Sequence, residues 1–111
     1  MLDGILGNKT AEQVLLSLFH YGELHASGIA EGTKGSLTPI INQLERFENA
    51  GVLISKQVGR SRVYSFNSKS PFTKPLKKIL EIAYENIPLK ERQKLFSKRF
   101  RPRRKGKEVI T

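Results

Sequence analysis

The chain contains no cysteine and only two histidines, His20 and His25, among its 111 residues. The absence of cysteine excludes disulfide bonds and thiolate metal sites of any kind. The two histidines flank a turn and have no metal-ligating partner four residues away, so nothing supports a site built from histidines and carboxylates. We therefore predict neither a metal ion nor another cofactor.

Long apolar runs and catalytic motifs are also absent. No stretch approaches the roughly 18 apolar residues of a membrane span, and the first residues lack the charged-then-apolar pattern of a secretory signal. We therefore expect a cytoplasmic protein without a membrane partner. Residues 32–35 resemble only a turn, because no strand with the spacing of a phosphate-binding loop precedes them. No pair of carboxylates and no Ser/His/Asp arrangement stands out, and we expect that the protein is not an enzyme.

Positive charge is abundant but uneven. Twenty lysines and arginines stand against ten acidic residues, which gives a net charge of +10. Residues 1–66 hold six basic and six acidic residues, so the whole excess lies in residues 67–111. Residues 90–107 carry ten basic residues against the single acid Glu91. Such a segment attracts polyanions without regard to base sequence, and we expect it to be disordered when free.

The segment 36–66 is the most informative, and its first half predicts an amphipathic helix. Ser36 can cap this helix, Pro39 falls in its first turn, and Gly51 can end it. The outer face is polar; asparagine and glutamine pair with adenine in a DNA major groove, and arginine pairs with guanine or a phosphate. A merely solvated face is the alternative. The apolar residues recur three and four positions apart: Leu37, Ile40, Ile41, Leu44 and Phe47.

The second half of this segment predicts a β-hairpin. Residues 52–54 and 63–66 have strand patterns, and Gly59 supplies a flexible turn between them. Arg60 and Arg62 are expected at the tip, from which long cations can reach phosphates or a minor groove. The alternative is that these arginines serve solubility alone.

The upstream residues complete the pattern. Asn8 or Thr10 can cap a first helix that Gly22 ends. Residues 23–24 are expected to form a short strand that pairs with the hairpin, residues 25–32 a short second helix, and residues 33–35 the turn before the amphipathic helix. The order helix, strand, helix, turn, helix, strand, strand is that of a winged helix-turn-helix.

Residues 8–67 resemble the winged helix-turn-helix regulators of the ArsR-like and MarR-like superfamily. The resemblance is carried by the Ala-Gly-Val-Leu sequence at 50–53 and by Gly59-Arg60 with Tyr64 in the wing. Leu44 and Phe47 stand where the family pattern has two leucines. The resemblance implies a regulator that binds double-stranded DNA. Metal-sensing relatives carry cysteines or His/Asp/Glu clusters that this chain lacks.

The predicted fold class is α+β and mostly α: a winged helix-turn-helix domain at residues 1–67, a C-terminal dimerisation helix at 68–88, and a basic tail at 89–111. A homodimer would dock its recognition helices in successive major grooves, with the wings on the flanking backbone or minor groove. The predicted DNA contacts are Lys34, Ser36, Thr38, Pro39, Asn42, Gln43, Arg46, Lys56, Arg60, Ser61 and Arg62.

Helical spacing in residues 71–86 predicts a helix after the wing. The resemblance to ArsR-like regulators implies that this helix pairs with the first helix of a second subunit, although packing within its own subunit is the alternative. The basic residues 97–111 would add affinity without sequence preference. In the alternative function, a winged-helix module binds a protein or RNA partner through this tail. The sequence identifies no small-molecule effector. The predicted dimer interface comprises Leu2, Ile5, Leu6, Phe72, Leu76, Ile79, Leu80, Ala83 and Ile87.

Overall fold

The computed structural model describes residues 1–98, which form a mostly helical α+β fold. The predicted order of elements is confirmed, with two short helices added at the ends of this region. In chain order the elements are α1 (Asp3–Leu6), α2 (Lys9–Tyr21), β1 (Glu23–His25), α3 (Ala26–Thr33), α4 (Leu37–Asn49), β2 (Leu53–Val58), β3 (Ser61–Phe66), α5 (Thr73–Glu85) and α6 (Leu89–Leu95).

The helix ends follow from local chemistry. Asn8 rather than Thr10 caps α2, because its side chain accepts a hydrogen bond from the backbone N–H of Ala11 at 2.7 Å. Ser36 precedes α4 with an extended backbone but makes no side-chain capping hydrogen bond. Gly51 adopts a φ of +86° just beyond α4, a left-handed conformation that suits glycine and turns the chain into the wing.

The three strands form one antiparallel sheet in the order β1-β3-β2. The wing strands are longer than predicted, since β2 and β3 pair from Leu53 opposite Phe66 to Val58 opposite Ser61. Only Gly59 and Arg60 are left to form the turn. The prediction that Arg62 lies at the tip is therefore wrong: Arg62 lies on β3 and pairs with Gln57.

One hydrophobic core joins the helices to the sheet. Helix α5 packs on α2, and its inward face buries Leu80 and Ala83, while Ile87 just beyond α5 is buried as well. Leu2 is buried in the same core. These four residues were predicted to form a dimer interface, and that prediction is wrong for them because their own subunit already encloses them. Further core residues are Ala11, Val14, Leu15, Leu18, Leu24, Ile29, Ile40, Leu44, Phe47, Leu53 and Tyr64.

The segment predicted as a disordered tail is ordered at its start. Helix α6 follows Pro88, and the ring of Phe96 stacks on His20 with 4.5 Å between centroids and 12° between planes. Tyr21 then donates its hydroxyl hydrogen to the carbonyl oxygen of Lys98 at 2.8 Å. The remaining tail residues, 99–111, lie outside the described residues. Within residues 1–98, no helix is long and apolar enough to cross a membrane.

Candidate nucleic-acid interface

Helix α4 presents a polar face to solvent. Its opposite face is anchored by Ile40 and Leu44, which are fully buried among α2, α3 and α4. This anchoring fixes the rotation of the helix, so that Thr38, Pro39 and Asn42 are exposed and Gln43 is half-buried. The structure therefore brings the predicted base-reading residues together at the N-terminal half of α4, the part of a recognition helix that contacts base edges in helix-turn-helix proteins.

The turn before α4 carries one cation of the site. Lys34 caps the C-terminus of α3 with a left-handed backbone, φ +58°, and its N–H donates to the carbonyl oxygen of Ala30. Lys34 and Ser36 are both exposed. A lysine at a helix C-terminus is stabilised by the helix dipole, and here it places a positive charge beside the first turn of α4.

Arg46 is held by hydrogen bonds within the protein. Its Nη2 donates to the carbonyl oxygen of Leu6 at 2.9 Å, and its Nε donates to Oε1 of Gln43 at 2.9 Å. The guanidinium also lies 4.6 Å from the centroid of the Phe47 ring. These contacts tie α4 to the end of α1. In this conformation Arg46 is a clamp between two helices rather than a free partner for guanine.

The wing holds the remaining predicted contacts. Lys56 and Arg60 are exposed, Ser61 is half-buried, and Arg60 lies at the turn itself. Arg62 is exposed too, but its Nη1 donates to Oγ of Ser55 at 3.0 Å. The wing therefore offers Arg60 at its tip and Lys56 on β2, and a third cation, Arg62, that is hydrogen-bonded to the neighbouring strand.

Three exposed residues of α4 were not among the predicted contacts: Leu37, Glu45 and Asn49. Leu37 was assigned to the apolar face, but it is the first residue of the helix and is 44% exposed. An apolar side chain in this position can contact a thymine methyl group. Glu45 lies one turn beyond Asn42 and is exposed; a carboxylate there can accept a hydrogen bond from cytosine. The position of Glu45 on the polar face was the available signal, whereas Leu37, assigned to the apolar face, gave none.

Helix α5 has a second apolar face, which the monomer leaves uncovered. Phe72 is 69% and Ile82 63% exposed, and Ile79 and Leu89 are exposed as well. These four residues are here called the outer stripe: Ile79 and Ile82 lie about one turn apart on α5, Phe72 directly precedes α5, and Leu89 begins α6. The predicted interface included Phe72 and Ile79 but not Ile82 and Leu89. Among the other predicted interface residues, Ile5 is exposed, whereas Leu6 and Leu76 pack against the core.

An aromatic cluster joins α2, α5 and α6 on another side of the molecule. Nδ1 of His20 lies 2.8 Å from the hydroxyl oxygen of Tyr84, and the Arg92 guanidinium lies 4.7 Å from the centroid of the Tyr84 ring. Burial lowers the pKa of His20 below its usual value, and the positive charge of Arg92 lowers it further. Neutral His20 therefore favours the docked position of α6. Within residues 1–98, no three His, Cys, Asp or Glu side chains are grouped to hold a metal ion.

Solved structures share this architecture. A crystal structure of a MepR-like protein complexed with pseudoligands has a TM-score of 0.55 and 18% identity, over 86% of this chain and 73% of that chain. A MarR-family transcriptional regulator from Silicibacter pomeroyi has a TM-score of 0.55 and 15% identity, over 86% and 70%. YusO from Bacillus subtilis has a TM-score of 0.51 and 18% identity, over 79% and 69%. No protein-family model and no curated protein matches the chain.

At such low identities the likeness establishes the fold. The chain has the winged helix-turn-helix fold found in MarR-family transcriptional regulators. The MarR-like part of the predicted resemblance is thereby supported, whereas these structures lend no support to the ArsR-like part.

Proposed function

We propose that the protein is a transcriptional regulator that binds double-stranded DNA in a sequence-specific manner. The observation that carries this proposal is the exposed polar stripe at the start of α4, which includes Thr38 and Asn42, together with the basic wing tip at Arg60 on the hairpin whose strand β2 packs against α4. Such a helix fits a major groove, while the wing reaches the adjacent backbone or minor groove. A regulator of this kind is expected to act in the cytoplasm.

In the proposed mechanism, one set of residues recognises the base sequence and another attracts the protein to the DNA backbone. Thr38, Asn42 and Gln43 would contact base edges, and Lys34, Lys56 and Arg60 would contact phosphates. Residues 1–66 are neutral overall, so these cations act through their placement. The basic residues beyond residue 89 supply attraction at longer range, which is screened by salt and indifferent to sequence.

We further propose that the active form is a homodimer assembled through the outer stripe. The side chains of this stripe are apolar and exposed: Ile79 and Ile82 on α5, Phe72 directly before α5, and Leu89 at the start of α6. A two-fold dimer would present two copies of α4 to a palindromic site, with half-sites about one helical turn, roughly 34 Å, apart. Ile5, which is exposed on α1, is a candidate for the edge of the same interface.

The direct test is Asn42→Ala. The specific site is first located by mapping the bases that the native protein protects in the DNA upstream of its own gene. The substitution should then cost about 1–3 kcal/mol for that site and little for random duplex, because an asparagine that pairs with adenine contributes to discrimination. Fluorescence anisotropy with both duplexes measures the two affinities.

Asn49→Ala is the matched control, since Asn49 is an exposed asparagine of the same helix, seven residues further along at its C-terminal end. It should leave both affinities unchanged. If Asn42→Ala alters neither affinity, or lowers both equally, then α4 does not read bases. If the native protein shows no preference for any upstream sequence, the proposed function itself is wrong.

The basic tail separates this proposal from the protein- or RNA-binding alternative. A chain that ends at Lys98 keeps the hydrogen bond from Tyr21 to Lys98 and the ion pair between Lys98 and Glu31, at 3.7 Å. Its fold should therefore be intact. We expect random-duplex binding to weaken most and the ratio of specific to random affinity to rise, because counterion release is lost. Duplex binding that is unchanged at every salt concentration would assign the tail to a protein or RNA partner.

A further inference from the structure

We infer that Arg62 is a positioning residue that sets the wing relative to the recognition helix, and that Arg60 supplies the wing's phosphate contact. This inference rests on the proposed DNA-binding function. It starts from a hydrogen-bonded chain of three side chains, here called the wing relay. Arg62 Nη1 donates to Ser55 Oγ at 3.0 Å, and Ser55 Oγ lies 2.6 Å from Oε2 of Glu48.

The direction of each hydrogen bond in the relay is fixed by chemistry. A guanidinium can only donate and an ionised carboxylate can only accept, whereas a hydroxyl has one hydrogen and two lone pairs. Ser55 must therefore give its only hydrogen to Glu48 and accept from Arg62. Removal of the hydroxyl breaks both bonds at once, and threonine is the only other side chain of similar size that could preserve them.

The relay joins all the elements that define the proposed DNA-binding face. Glu48 lies in the last turn of α4, Ser55 lies on β2, and Arg62 lies on β3. Ser55 pairs with Tyr64 and Arg62 with Gln57, so their side chains share the sheet face that is turned towards α4. Strand β1 pairs with β3 only at residues 63–65, so the outer part of the hairpin extends past β1 and would be free to bend about its base. The relay restrains that bend and thereby fixes where Arg60 meets the DNA backbone.

The first experiment compares DNA affinities at several salt concentrations. Ser55→Ala and Arg62→Ala should each weaken binding to the specific site about fivefold, the factor that corresponds to one net hydrogen bond. The double variant should be little worse than either single variant, because both changes break the same chain. Ser55→Thr should restore the native affinity.

Arg60→Ala is the matched control, since it also replaces an arginine by alanine in the same hairpin, but at the tip and outside the wing relay. It should reduce the salt slope of binding by about one, as expected for a lost phosphate contact, whereas the relay variants should leave the slope unchanged. If Arg62→Ala reduces the slope as Arg60→Ala does, or if the effects of Ser55→Ala and Arg62→Ala add, Arg62 is an ordinary phosphate contact and the inference is wrong.

The second experiment uses no DNA, so its outcome does not depend on the proposed function. Because the chain has no cysteine, spin labels attach only at Arg60→Cys and Ser27→Cys, and mixing with excess unlabelled protein leaves the distance between the wing tip and α3 within one subunit. Ser27 is exposed on α3. Ser55→Ala should broaden this distance distribution, and Ser55→Thr should not. An unchanged distribution in Ser55→Ala overturns the inference even if the protein binds its site.

Discussion

Leu80→Ala tests which face of α5 belongs to the folded core. Leu80 is 0% exposed and lies on the face of α5 that packs against α2. Removal of its three outer carbons leaves a cavity in an enclosed site, and such a change costs about 3 kcal/mol of unfolding free energy. The total stability of a domain of this size is roughly 5–15 kcal/mol. A loss of about 3 kcal/mol should lower the melting temperature by roughly 15 °C.

Ile82→Ala is the comparison variant. Ile82 is on the same helix, two residues further along, but it is 63% exposed within the monomer. Its truncation should change the unfolding free energy of the monomer by less than about 0.5 kcal/mol. Urea unfolding followed by circular dichroism, at the lowest workable protein concentration, minimises any contribution from self-association. A loss under 1 kcal/mol for Leu80→Ala, or equal losses for the two variants, would refute the assignment of the inward face.

Two further predictions concern assembly and pH. Ile82→Asp should give folded monomers with weak DNA affinity, because a dimer interface at this position would bury an unpaired charge; light scattering that finds the native chain monomeric at micromolar concentration would contradict the proposed dimer. The lowered pKa of His20 means that the unfolded chain binds a proton more readily, so stability should be full above about pH 6.5 and should fall as the pH drops below it. Thermal melts of native protein and His20→Gln between pH 7.5 and 5 would check this, and an identical decline in both would exclude His20 as the cause.

The order of elements was predictable because local chemistry marks their ends. Asn8, Gly22 and Gly51 stop or start helices through capping and left-handed backbone conformations, and such effects act within a few residues. The strand limits were less well predicted. Residues 55–58 and 61–62 read as polar loop, and only their pairing across the hairpin showed that they extend the wing.

The faces of α5 could not be assigned from its sequence. Its apolar residues form two stripes offset by one position, with Leu80 and Ala83 on one and Ile79 and Ile82 on the other. Helical periodicity describes both stripes equally well. Only the packing of α5 against α2, which depends on contacts between distant parts of the chain, determines which stripe is buried.

The hydrogen-bond partners of the arginines could not be predicted from the neighbouring sequence either. Arg46 bonds to the carbonyl oxygen of Leu6, 40 residues earlier, and Arg62 bonds to Ser55 across the hairpin. A sequence pattern can place a cation on an exposed face, but long side chains choose partners that tertiary structure brings within reach. The polar residues of α4 were better predicted, because the short side chains of Thr38 and Asn42 stay on the face where helical geometry puts them.

The two stripes of α5 also link the interior of the protein to the DNA that it could recognise. Because Leu80 and Ala83 lock the rotation of the helix against α2, the outer stripe can face only one direction relative to α4. In a two-fold assembly built on that stripe, the distance between the two recognition helices therefore depends on how α5 is oriented relative to α4 within each subunit. The packing of each subunit's core would then determine the spacing between the two half-sites of the operator. A substitution that repacks the core, far from any base, would alter the spacing that the protein accepts.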